Sequence, residues 1–151
     1  MKSNRDILLV EDNPSDIDLT KRALAKGHVA NDLIVADDGQ KALDYLFGKG
    51  EFAGRDTSTV PALVLLDLKL PKVSGFEVLR QIRADVSIKH LPVVILTTSA
   101  EQRDVVAGYN LFVNSYIRKP VDFNQFVECV KQLGLYWLVL NEPPYPREEV
   151  L

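Results

Sequence analysis

Two acids stand side by side at Glu11 and Asp12, directly after the apolar run Ile7-Leu8-Leu9-Val10. A third, Asp67, follows the run Leu63-Val64-Leu65-Leu66. A hydroxyl and an ammonium close two further runs: Thr97 after Val93-Val94-Ile95-Leu96, and Lys119 after Ser115-Tyr116-Ile117-Arg118. If these runs are neighbouring strands, their ends deliver three carboxylates, a hydroxyl and a lysine to one crevice. Carboxylates held that close repel, so either a pKa rises or a cation enters. Oxygen ligands with room for water suit Mg2+, and no His/Cys cluster favours zinc. A cation, Lys119 and Thr97 around Asp67 make a site for phosphoryl transfer onto that carboxylate. Such transfer needs positioning and charge neutralisation more than acid–base work. Asp67 would be the nucleophile, Lys119 would pair with one phosphoryl oxygen and Thr97 would donate to another. Taken singly, an acid after a strand is a turn or cap residue; the functional reading rests on several strand ends carrying such groups together.

The elements that must position these residues follow from the apolar pattern. Short runs rich in Val, Ile and Leu suit strands buried on both faces. A further run, Leu33-Ile34-Val35-Ala36, precedes Asp37-Asp38-Gly39. Between the runs lie helical patterns. Ser15 can cap a first helix that turns Ile17, Ala23 and Leu24 inward. Ala42, Leu43, Leu46 and Phe47 form a second apolar face, and Phe76, Val78, Leu79 and Ile82, after the turn signal Ser74-Gly75, form a third. Val105, Val106 and Tyr109 suggest a fourth, and Phe123, Phe126, Val127, Val130 and Leu133 a fifth. Strands alternating with helices predict an α/β fold, a doubly wound five-stranded parallel sheet in the order 2-1-3-4-5. In such a sheet ligands bind beyond the carboxyl ends of the strands, where strand order reverses. Asp37 and Asp38 end a strand at the far edge and read as caps and turn formers. The stretch Gly48 to Pro61 reads as an exposed, mobile loop. His28 and His90 read as ordinary surface residues.

Composition narrows the class. A chain of 151 residues with 46% hydrophobic and 26% charged residues reads as one soluble domain. A net charge of −3 without a basic run gives no reason to expect nucleic acid. The single cysteine, Cys129, allows no intramolecular disulfide and fits a reducing cytoplasm. The polar start is unlike a signal peptide, and no stretch approaches a membrane span.

With the motifs Ile7-Leu8-Leu9-Val10-Glu11-Asp12, Leu65-Leu66-Asp67-Leu68-Lys69-Leu70-Pro71, Ser74-Gly75-Phe76-Glu77, Leu91-Pro92-Val93-Val94-Ile95-Leu96-Thr97 and Tyr116-Ile117-Arg118-Lys119-Pro120 in view, residues 5 to 133 resemble the receiver domains of bacterial response regulators. The resemblance implies the flavodoxin-like receiver fold and assigns roles by position. Asp12 is then the direct Mg2+ ligand, Glu11 acts mainly through water, Asp67 is the phospho-acceptor and Lys69 lends its backbone carbonyl to the metal. Thr97 is the switch hydroxyl, and Lys119 is the family's lysine, joined to Pro120 by a bond that is usually cis. Tyr116 is the aromatic switch, turning inward as Thr97 moves toward the phosphoryl group. The side chains of Lys69 and Ser99 occupy positions that tune the lifetime of the acyl phosphate. The domain is not an enzyme in the ordinary sense, but a phospho-acceptor that promotes its own phosphorylation and dephosphorylation.

Residues 134–151 read as a C-terminal apolar extension, Leu135-Tyr136-Trp137-Leu138-Val139-Leu140, and a Pro-rich tail. The extension either folds onto its own domain or buries itself in a partner or second copy. With no room for an output domain, the signal would leave through protein contacts. The extension, with His90 to Ser99 and Val113-Asn114-Ser115-Tyr116, also looks like the small regulators that serve phytochrome-type histidine kinases. That likeness implies a bacterial phytochrome as phosphodonor, a homodimer through the fourth helix, fifth strand, fifth helix and extension, and a cytoplasmic place of work. Three other readings are weaker. An enzyme forming an aspartyl phosphate usually has an acid where Lys69 stands. A flavin module would need a phosphate loop where Glu11-Asp12-Asn13-Pro14 stands. A receiver-like interaction protein without phosphotransfer would not need the acids and Lys119.

Overall fold

Each apolar tetrad forms a strand, and each amphipathic stretch a helix, in the computed structural model, which describes residues 6–27, 31–98, 102–119 and 122–133. The order is β1 (Ile7–Val10), α1 (Pro14–Lys26), β2 (Leu33–Ala36), α2 (Gly39–Phe47), a single 3-10 turn (Gly50–Phe52), β3 (Leu63–Leu66), α3 (Gly75–Ala84), β4 (Val93–Thr97), α4 (Gln102–Asn110), β5 (Ser115–Arg118) and α5 (Phe123–Leu133). The strands pair in parallel in the order β2-β1-β3-β4-β5. Leu8 lies between Ile34 and Val64, and Leu66 lies beside Ile95. The three central strands are buried throughout, whereas β2 and β5, at the edges, are only partly covered.

Alternation along the strands builds two cores. Leu8, Val10, Val64, Leu66, Val93 and Ile95 face the layer of α2 and α3, with Val78, Leu79 and Ile82 packed on them. Ile7, Leu9, Leu63, Leu65, Val94 and Leu96 face α1 and α5, against Ala23, Leu24, Phe126 and Val127. Helix α4 joins the first layer by a close approach at Gly108, where a Cβ would stand 3.0 Å from Ile95 Cδ1 and 3.5 Å from Tyr116 Cδ2. Tyr109, expected on the inner face, is instead 50% exposed; the glycine beside it makes the inward contact. Side chains of Val106, Val130 and Leu133 lie outside the described set.

Local chemistry sets the ends. The first helix is capped by Asn13, not Ser15: the Asn13 side-chain oxygen accepts from the amides of Ser15 and Asp16, and Pro14 takes the first helical position. Proline there loses no hydrogen bond and its fixed φ suits the helix, so the cap falls on the residue before it. Asp38 caps α2 through the Lys41 amide, and Asp37 pairs with the Lys41 ammonium, as their cap-and-turn reading expects. Gly75 opens α3 hard against the chain after β3; a Cβ there would lie 2.1 Å from the Asp67 carbonyl oxygen.

The Gly48 to Pro61 stretch is largely exposed, as expected, but it is tied down. Arg55 Nε donates to the Tyr45 carbonyl at 2.7 Å and Nη1 to that of Thr59 at 2.9 Å, while the guanidinium lies 4.1 Å from the Tyr45 ring centroid. Among the described residues no helix is long and apolar enough to cross a membrane.

Candidate functional site

The ladder continues past the strands and gathers their terminal residues. Glu11 N–H donates to Ala36 O at 3.0 Å, Asp67 N–H to Val10 O at 3.0 Å, and Lys119 N–H to Thr97 O at 2.6 Å. Counted by twos along their strands, Glu11, Asp67 and Lys119 continue the positions that face α1 and α5. Thr97 continues the positions of Val93 and Ile95, which face the other layer. The sheet edge therefore brings together three residues from one face and presents the hydroxyl from the other.

Lys119 is the hub. Its ammonium donates to Glu11 Oε1 in a short ion pair, to Asp16 Oδ2 at 2.9 Å and to Asp67 Oδ2 at 3.3 Å. Three N–H bonds thus meet three carboxylates, which is the full donor capacity of an ammonium. Glu11 is 1% exposed and Lys119 8%, so both charges have left bulk water and need this pairing. Burial pushes the Glu11 carboxyl up to about 7, against the pull of the Lys119 ammonium. Burial disfavours the Lys119 charge as well, but its hydrogen bonds to Glu11 and Asp16 and the nearby anions outweigh it and hold its pKa above the usual lysine value.

Carboxylate oxygens of Glu11, Asp12 and Asp67 lie within 4.8 Å of one another. Asp12 is exposed and opens the cluster to water. An all-oxygen set with a solvent-facing member fits a hard divalent cation that keeps part of its hydration, the behaviour of Mg2+. Beside it the Lys69 amide reaches Asp67 Oδ1 at 3.3 Å, and the Asn13 amide reaches Glu11 Oε2 at 3.3 Å. Thr97 is fully buried at the end of β4. Tyr116, on β5, is partly buried, with its ring edge beneath Gly108.

The structure therefore brings Glu11, Asp12, Asp67 and Lys119 into one cluster, with Thr97 and Tyr116 on the adjoining strands. Ser99 and Pro120, and the extension after Leu133, lie outside the described residues. His90 is exposed, in keeping with a surface role. Asp16 was missed by sequence reasoning. It stands in the first turn of α1, and its bond to Lys119 spans 103 positions of sequence. The one signal that could have found it is its place on the helix that covers the Lys119 side of the sheet.

Known proteins bear on this geometry. The family model described as "Response regulator receiver domain" matches residues 7–131. The probable methanogenesis regulatory protein FilR2 of Methanothrix harundinacea is 42% identical over 140 residues, which is 93% of this chain and 88% of that protein. The crystal structure of the phosphorylated cyanobacterial phytochrome response regulator RcpA superposes with a TM-score of 0.83 at 40% identity, covering 94% of this chain and 99% of that one. The bacteriophytochrome response regulator AtBRR is 50% identical with a TM-score of 0.76, covering 93% of this chain and 100% of that one. Family match, near full-length likeness and the shared sheet order agree: the chain belongs to the response regulator receiver domains, the phosphoryl-accepting modules of two-component signalling.

Proposed function

We propose that this receiver takes a phosphoryl group onto Asp67 from the phosphohistidine of a histidine kinase and passes the signal on through protein contacts. The observation that carries the reading is the Lys119 ammonium 3.3 Å from Asp67 Oδ2, beside the Glu11–Asp12–Asp67 cluster. One Asp67 oxygen attacks phosphorus as the phosphorus–nitrogen bond of the donor breaks. The leaving imidazole nitrogen takes the bonding pair and a proton. Lys119 neutralises a phosphoryl oxygen, and Thr97 is the hydroxyl within the same rim. Glu11, Asp12, Asp67 and the Lys69 carbonyl would hold Mg2+, which when bound offsets charge on the transferring group. The same set would let the domain promote its own phosphorylation and dephosphorylation, with Thr97 and Tyr116 as the switch pair.

Likeness to the phytochrome response regulators RcpA and AtBRR supports a phytochrome kinase as donor, and a cytoplasmic place of work goes with that donor. The exposed Tyr109 and Phe112, at the end of α4 and just before β5, support protein contact, including a homodimer, on that side. Residues 5–133 form the receiver on this reading, with the extension 134–151 as an added contact element.

The test is direct. Incubation with Mg2+ and a small phosphoramidate should give one phosphoryl adduct by intact-mass analysis, lost in Asp67→Asn. An adduct of equal yield in that variant overturns the assignment of the acceptor.

A further inference from the structure

Asp16 is the third partner of the Lys119 ammonium, and neither the sequence motifs nor the chemistry of the acceptor calls for it. Its position is held on both sides. The Asp16 amide donates to the Asn13 cap oxygen at 3.2 Å, and its carbonyl accepts from the buried Thr20 hydroxyl at 2.8 Å. The side chain, 29% exposed, meets Lys119 Nζ at 2.9 Å, closer than Asp67 does at 3.3 Å. A rigid first turn thus aims a carboxylate at the cation that faces the acceptor.

From this geometry we infer that Asp16 is a positioning residue that restrains Lys119 and weakens its hold on a phosphoryl group carried by Asp67. The inference rests on Asp67 as the acceptor. When Asp67 carries the group, a phosphoryl oxygen takes over the third donor of the ammonium, while Glu11 and Asp16 keep the other two. Asp16 then acts in two ways, both of one sign. It draws the ammonium toward α1, and it sets a negative charge one contact away from the anionic group. Because Asp16 is only partly desolvated, its effect is moderate, smaller than that of the enclosed Glu11. Asn in its place keeps an oxygen that can accept from Lys119 but removes the charge; Glu keeps the charge.

The probe is beryllium fluoride, a mimic of the phosphoryl group, titrated at saturating Mg2+ and followed by calorimetry and fluorine NMR on the full chain. Asp16→Asn should bind it more tightly by on the order of five-fold. It should also shift the fluorine resonance of the group nearest Lys119. Asp16→Glu should return both toward the parent values. A loss of packing alone would not tighten binding or be reversed by restoring charge. Unchanged or weaker binding in Asp16→Asn overturns the inference, as does tightening in Asp16→Glu equal to that in Asp16→Asn. Asp67→Asn, run alongside, separates the two readings. If it binds the probe as the parent does, or the parent fails to bind, the acceptor assignment falls and the inference with it. If the parent binds, Asp67→Asn does not and Asp16→Asn matches the parent, only the role of Asp16 is refuted.

Discussion

Replacing Lys119 by methionine keeps an unbranched apolar stem, one atom shorter, and removes the charge, leaving Glu11, Asp16 and Asp67 facing one another. Breaking a buried pair by deleting one partner costs about 3–5 kcal/mol, because the other charge is left without water or counterion. Glu11 bears most of this, being 1% exposed. It can escape by taking a proton, and the cost of doing so sets a ceiling. With an unfolded-state pKa near 4.5, holding Glu11 protonated costs about 1.4 kcal/mol for each pH unit above that value. The sign follows from the raised folded-state pKa. The neutral form is favoured on folding, so stability is highest below about 4.5 and falls as pH rises through the folded value. That value is about 7 in the parent and higher once Lys119 is gone. Parent and variant share this protonation cost up to the parent's folded value and part only above it, so stranding Glu11 should add almost nothing at pH 5 and about 1.4 kcal/mol at pH 8 relative to the parent. Guanidinium denaturation at both pH values, with a chelator present, measures the difference. Millimolar Mg2+ should restore part of the loss at pH 8, by supplying a cation to the same carboxylates. Losses at the two pH values within about 0.5 kcal/mol of each other would refute the reasoning, since Glu11 would then not be the group left stranded.

Gly75→Ala sets a Cβ 2.1 Å from the Asp67 carbonyl oxygen and 2.6 Å from Leu68 Cα. Neither atom is the end of a flexible side chain, so a loss of about 2–3 kcal/mol in equilibrium unfolding is expected, with slower uptake of phosphoryl from phosphoramidate; parent-like stability would refute the close approach. Tyr45 donates to Asp6 Oδ2 at 2.8 Å, and burial, then this bond, raises its pKa to about 12. A raised folded value means the stabilisation is complete below the unfolded value near 10 and is lost as pH climbs toward 12. Tyr45→Phe should cost about 1 kcal/mol at pH 8 and the gap should close by pH 11.5; denaturation curves that stay parallel over that range would contradict it.

The strands were legible because each is a run of apolar residues ended by a polar one, and parallel strands buried on both faces need no other signature. The acids and Lys119 were legible as a site only through the strand order, which turned separate loop residues into neighbours. Local competition hid the cap of α1: Asn13 and Ser15 both suit the role, and Pro14 decides between them. Tyr109 looked buried because helical spacing was filled with aromatic and β-branched residues, while the true inward contact is a glycine, which carries no hydrophobic signal. Arg83 shows what sequence cannot carry. Its guanidinium donates to the carbonyls of Lys89, Leu91, Leu111 and Phe112, joining two loops across 28 or 29 positions for the farther pair. Phe112 itself sits at φ 58°, a backbone cost that its own type does not announce.

The split between the two faces has a consequence of its own. The sheet is a bulkhead, and the groups that gather round the ammonium stand in one compartment while Thr97 stands in the other. A tug on that hydroxyl would be felt where α4 rests on Ile95 and Tyr116 through Gly108, with α1 and α5 left as ballast. On the roles proposed above, loading and reporting would draw on different packing, and substitutions under α1 would retune how firmly a charge is kept without disturbing how its arrival is announced.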